Sequence, residues 1–174
     1  TLAIGDHLRV PKFSNGYSRY SLPDLFGMAD LLPAEKERLL QAVAARGDVI
    51  VFRLPRDPSQ TYVKRVIGLP GDRVQMRAGR LWINAQEVPE RNDGAGTLET
   101  EDGTLVKVPE LIETLPGGRD HLIFKRPEGG LLDDTPVFLV PQRHLFVMGD
   151  NRDDSLDSRV SAAEGGAGCV PLEN

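Results

Sequence analysis

Short apolar runs alternate with turn residues along this chain. Val49-Ile50-Val51-Phe52 and Val137-Phe138-Leu139-Val140 are the longest runs, and 13 prolines and 18 glycines are spread among them. That is the pattern of many short strands joined by turns. The runs predict strands over His7–Phe13, Asp48–Phe52, Thr61–Ile67, Arg73–Met76, Arg80–Ile83, Thr104–Val108, His121–Phe124, Val137–Val140 and His144–Met148. One segment, Ala34–Ala45, reads as a helix: Leu39, Leu40, Val43 and Ala44 gather on one side, and Glu35-Lys36-Glu37-Arg38 lead it. Pro33 suits the position before it and Gly47 stops it.

The stretch from Arg77 to Asp134 has a different texture. Asn92-Asp93-Gly94-Ala95-Gly96, Leu115-Pro116-Gly117-Gly118 and Pro127-Glu128-Gly129-Gly130 are all turn or loop chemistry. The flanking parts are richer in compact apolar strands. A core built from both ends of the chain (1–76 and 135–174), interrupted by a smaller inserted β-rich cap over 77–134, fits this pattern. No internal repeat and no low-complexity tract is present.

Composition narrows the function classes. The chain has 174 residues, 40% hydrophobic and 27% charged, an ordinary globular balance with length enough for a core. Lys and Arg total 21 against 26 Asp and Glu, a net charge of −5 that argues against a nucleic-acid partner, which needs a basic surface. The lone Cys169 excludes an intramolecular disulfide and a Cys-rich zinc site. His7, His121 and His144 are scattered without metal-ligand spacing, so no metal or other cofactor is expected. No apolar run is long enough to span a membrane and no signal peptide is visible. The start at Thr1 without a methionine is expected to be processed or excerpted.

Chemistry concentrates first in Thr61–Asp72. Read as a strand, Tyr62, Lys64 and Val66 share one face, and Thr61, Val63, Arg65 and Ile67 share the other. On periodicity alone, both cations simply snorkel to water. Their chemistry differs: arginine keeps its proton in a protein, whereas a desolvated lysine can become a neutral amine and act as a base. Lysine starts near ~10.4 and must fall by about three units, and full burial moves it by roughly 3–5. At ~1.36 kcal/mol per unit the fold must supply about 4 kcal/mol, so a working Lys64 must be deeply enclosed. The strand ends in Gly68-Leu69-Pro70-Gly71-Asp72, where Pro then Gly at the central positions predicts a type II turn.

The second concentration is Gly149-Asp150-Asn151-Arg152-Asp153-Asp154-Ser155-Leu156-Asp157-Ser158-Arg159. A solvated acidic loop is the plain reading. A calcium loop fails on register: counting from Asp150, the third position is Arg152 and no glycine holds the sixth. Interleaved arginines and aspartates suggest a loop locked by ion pairs, such as Asp157 with Arg159 or an arginine with a more distant carboxylate. Ser155 would then offer a hydroxyl to a neutral amine.

Together these stretches resemble bacterial type I signal peptidase (leader peptidase), a membrane-bound Ser-Lys endopeptidase. The matching blocks are Thr1-Leu2-Ala3-Ile4-Gly5-Asp6, Arg46–Phe52, Tyr62–Asp72, Met148–Arg159 and Val170–Asn174, in the family's order. The resemblance implies an all-β fold: a catalytic core of antiparallel sheets, an inserted β cap and few short helices. It makes Lys64 the general base that activates a serine nucleophile, with Ser155 orienting its amine and Asp157 and Arg159 holding the loop. Leu2, Leu8, Val51, Tyr62 and Val63 fall where the family lines shallow pockets that accept the small residues of an A-x-A cleavage signal. Signal-peptide-bearing preproteins and the bacterial cytoplasmic membrane are the implied partners, with the catalytic domain on the extracytoplasmic face. The family's nucleophile lies in a Ser-x-Ser-Met-x-Pro-Thr-Leu motif, of which this chain carries Thr-Leu. The expectation is therefore an excerpt lacking nucleophile and anchor, soluble, and unable by itself to cleave a preprotein.

Four rival readings stand beside this one. Ser155 could itself be the nucleophile next to Lys64, although neighbouring acids would repel a developing oxyanion. Thr1 could act as an N-terminal nucleophile. Alternatively the chain could be a non-catalytic β-rich binding module with an exposed Lys64, or another Ser-Lys peptidase such as a self-cleaving repressor. No DNA-binding helix pair supports the last.

Overall fold

The structure is a computed structural model that describes residues 44–99 and 103–172. In chain order the strands are β1 (Val49–Leu54), β2 (Asp57–Gly68), β3 (Arg73–Arg77), β4 (Arg80–Ile83), β5 (Gln86–Glu87), β6 (Glu90–Glu99), β7 (Leu105–Leu115), β8 (Arg119–Phe124), β9 (Phe138–Leu139), β10 (His144–Met148) and β11 (Val170–Pro171). The fold is all-β, and every ladder between these strands is antiparallel. Among the described residues one 3-10 turn, Ala162–Glu164, is capped by the Ser161 hydroxyl and closed by Gly165 in the left-handed region.

Among the described residues these strands form three sheets: β1-β2-β10-β11, β5-β4-β3-β9 and β6-β7-β8. The span expected to form the cap, 77–134, supplies β4 and β5 to the second sheet and the whole of the third. Leu81, Ile83, Val88 and Leu115 from this span pack in one buried cluster with Ile67, Phe146 and Met148.

The two-residue period of β2 and β10 explains how the interior is divided. Val66 with Leu145 and Val147 enters a cluster completed by Phe52, Leu54, Ala167 and Val170. Ile67 with Phe146 and Met148 enters the other. The central pair of strands thus has core on both faces, and Val66, Ile67, Phe146, Val147 and Met148 are all fully buried. Such crowding dictates Gly68. A β-carbon there would stand 2.8 Å from Val74 Cγ2 and 2.9 Å from Phe146 Cβ.

The type II turn predicted after β2 is present. Asp72 N donates to Leu69 O at 3.0 Å, and Gly71 takes φ +91°, which an L side chain rarely adopts. Asp72 braces it further, accepting from the Leu69 amide at 2.7 Å and from Arg46 at 2.9 Å.

Several sequence expectations need correction. Asn92–Gly96, expected as a loop, lies inside β6, paired to β7 from Glu90↔Glu113 to Glu99↔Leu105. The Asn-Asp-Gly sequence makes a bulge there and not a turn: the register shifts between Asn92 and Gly94, and Asn92 Oδ1 accepts from Gly94 N at 2.7 Å. β7 runs well past the expected Thr104–Val108 because Pro109 lies within a ladder that continues on both sides. β2 begins at Asp57, its polar start held by pairing with β1. Val137–Val140 shrinks to two paired residues, and β5 and β11, also two residues each, carry too little pattern to read. The expected strand His7–Phe13 and all of the expected helix except Ala44 and Ala45 lie outside the described residues.

Candidate active site

β2 carries its two cations to opposite faces, and the surroundings treat them differently. Arg65 pairs bidentately with Asp150 (Nε–Oδ1 2.8 Å, Nη2–Oδ2 2.7 Å) and donates to the Gly47 carbonyl. Lys64 forms no ion pair among the described residues. It is 9% exposed, and its Nζ donates to Ser155 Oγ at 2.6 Å. The same nitrogen stands 5.5 Å from the centre of the Tyr62 ring, two residues back on the same strand face. Burial pushes the Lys64 ammonium below the ordinary lysine range; Asp157, Asp150 and Asp154 pull it back up, while Arg159 assists burial.

Ser155 is brought to Lys64 by the loop after β10, and that loop is braced throughout. Asp157, fully buried, accepts from the Gly149 amide (3.0 Å), the Arg159 amide (3.1 Å) and the Arg159 guanidinium (Nε 2.9 Å, Nη2 2.8 Å). Burial alone would raise its pKa, yet the hydrogen bonds and charge of Arg159 outweigh it and hold the carboxyl below its usual value. Arg159 Nη2 also donates to the Arg152 carbonyl at 2.6 Å. Ser158 Oγ accepts from Val147 N and donates to Gly168 O, tying the loop to β10 and to the segment before β11. Arg152 is 1% exposed and pairs with the fully buried Glu113 of β7.

Beside the Lys64–Ser155 pair opens a cleft of about 1020 Å³. Its walls are Thr61–Lys64 of β2, the Arg126–Asp133 connection and the Arg152–Leu156 stretch of the loop. Of the residues expected to form substrate pockets, Tyr62 and Val63 line this cleft. Val51 lies opposite Val63 on β1, is 39% exposed, and is not among the lining residues. Leu2 and Leu8 lie outside the described residues.

Chemically, the site offers an amine with a weakened hold on its proton, a hydroxyl aimed at it, and an open groove alongside. Among the described residues no group of three or more His, Cys, Asp or Glu side chains is arranged to hold a metal ion. Sequence reasoning missed the Glu113–Arg152 and Arg65–Asp150 pairs as specific partners. Both are long-range, 39 and 85 residues apart, and no local spacing signals them.

Comparison with known proteins gives this geometry a family. The family model described as "Signal peptidase, peptidase S26" matches residues 1–174. Signal peptidase I of Rickettsia canadensis (strain McKiel) is 41% identical over 180 residues, covering 100% of this chain and 63% of that protein. Signal peptidase I of Rickettsia conorii (strain ATCC VR-613 / Malish 7) is 40% identical with the same coverage. The chain therefore spans 63% of the length of these relatives. A crystal structure of a signal peptidase I from Enterococcus faecalis V583 is 28% identical, covers 75% of this chain and 91% of that one, and superposes with a TM-score of 0.41. The chain belongs to the signal peptidase family, peptidase S26.

Proposed function

We propose that this chain is the catalytic part of a serine endopeptidase that removes N-terminal signal peptides from exported preproteins. The observation that carries this reading is the 2.6 Å contact between the enclosed Lys64 amine and the Ser155 hydroxyl at the edge of the cleft. As a neutral amine, Lys64 takes the proton of an attacking serine and later returns it to the leaving amine. That serine is assigned to the family motif ending in Thr-Leu, here Thr1-Leu2. Ser155 orients the Lys64 lone pair, and the Asp157–Arg159 pair keeps Ser155 in place. Tyr62 and Val63 form part of shallow pockets that admit the small side chains of an A-x-A signal and exclude larger ones. The work is done at the bacterial cytoplasmic membrane, on its extracytoplasmic face. Among the described residues no helix is long and apolar enough to cross a membrane.

The same contact would also suit Ser155 as the nucleophile, and one experiment separates the two roles. In protein that carries the serine motif, cleavage of a preprotein whose signal peptide ends in Ala-x-Ala is followed by gel and by mass of the product. Lys64→Ala is expected to reduce cleavage by about 10²–10⁴-fold, the usual contribution of a general base. Ser155→Ala is expected to leave a reduced but measurable rate. Complete loss of acylation in Ser155→Ala would transfer the nucleophile role to Ser155.

A further inference from the structure

The third sheet holds a charged cluster that the proposed reaction does not use. Glu113 of β7 is 0% exposed, and both its oxygens accept from Arg152 (Nη1–Oε1 2.7 Å, Nη2–Oε2 2.6 Å). His121 of β8 stands against the same carboxylate, Nε2 to Oε2 3.3 Å, with its ring 5% exposed. Arg152 belongs to the loop that carries Ser155, three residues further on. Its carbonyl receives the Arg159 guanidinium, which in turn grips Asp157. Its amide donates to the Phe124 carbonyl, and the Phe124 amide donates to the Asp150 carbonyl, so the end of β8 holds the same loop by its backbone.

We propose that Glu113 is a positioning residue for the Lys64–Ser155 pair, holding through Arg152 the segment that sets the Ser155 hydroxyl against the Lys64 amine. The inference rests on the reading of Lys64 as the base and adds the partner that keeps it in register. An exposed ion pair would add little to such a task. A fully buried bidentate pair differs, because removing one member strands the other charge away from water. Arg152 also lines the cleft, so a stranded guanidinium has its route to water through the space beside Lys64. Glu113 thus restrains the loop and also keeps a cation from that space. No other side chain among the described residues makes an ion pair with Arg152.

The test uses the whole 174-residue chain with Glu113→Gln and Arg152→Gln together, which removes both charges and strands neither. Circular dichroism reports folding, hydrogen exchange follows the Gly149 and Arg159 amides that donate to Asp157, and side-chain NMR follows the titration of Lys64. In the folded double variant those amides are expected to exchange at least about tenfold faster, the mark of a loosened local unit. Lys64 is expected to titrate at least about one unit nearer its ordinary value as water gains access. Glu113→Asp, which keeps the charge, is expected to recover part of both changes. A folded double variant with unchanged exchange, or with faster exchange and an unchanged Lys64, overturns the proposal. Should the double variant not fold, Glu113→Asp decides: it withdraws the carboxylate by one methylene, and wild-type exchange and titration would overturn the tie. Ordinary titration of Lys64 in the unaltered chain would overturn its reading as the base, and amide exchange would still decide whether Glu113 holds the loop.

Discussion

At the scale of single residues, Lys64 stabilises nothing by being charged. Its folded pKa is lowered by burial, so between that lowered value and the ordinary lysine value of 10.5 the unfolded chain binds more protons than the folded one. The resulting destabilisation is complete below the folded pKa and fades as pH rises toward 10.5, with each unit of difference worth about 1.4 kcal/mol. Lys64→Met, similar in length and uncharged, is therefore expected to raise stability at neutral pH. The gain should shrink as pH climbs, measured by urea unfolding across the range. A variant no more stable than the parent would mean that the amine is hydrated after all. The residue-level chemistry was legible in sequence because lysine and arginine adjoin on β2. Which of the two met a carboxylate was not, since Asp150 is 85 residues away.

Among the elements, β2 and the loop after β10 were readable, and β6 was not. Thr61–Ile67 alternates clearly, and the charge interleaving of Gly149–Arg159 announces a self-paired loop. Asp157 with Arg159 pairs within it, while Arg152 pairs outside it. β6 failed because Asn-Asp-Gly serves a bulge as well as a turn, and only the partner strand decides between them. The crowding at the end of β2 supplies a test at this scale. Gly68→Ala is expected to cost about 1–3 kcal/mol, since Val74, Val140 and Phe146 close around the new methyl group and are themselves packed. Gly71→Ala, with nothing within 4 Å, pays only for its positive φ, about 1 kcal/mol. Equal denaturant midpoints for the two variants would argue against the close packing described for Gly68.

For the whole molecule, the sheets are joined by buried charge as well as by apolar contact. Burial would raise the Glu113 pKa, but Arg152 and His121 bring it down from 4.5 to about 2. A depressed carboxylate contributes stability above its unfolded pKa and loses it as pH falls through the folded one. Between pH 4.5 and about 2 the chain should therefore lose on the order of 3 kcal/mol from this residue alone. Glu113→Gln should show a flatter dependence of urea midpoint on pH in that window, whatever its absolute stability. The two interior clusters meet across β2 and β10, and Lys64 is only two residues from Val66. Its backbone can loosen only if both interiors come apart together. On heating, the seat of the amine should persist until the molecule melts as one, with no warm, half-assembled state in which the strand has slackened first.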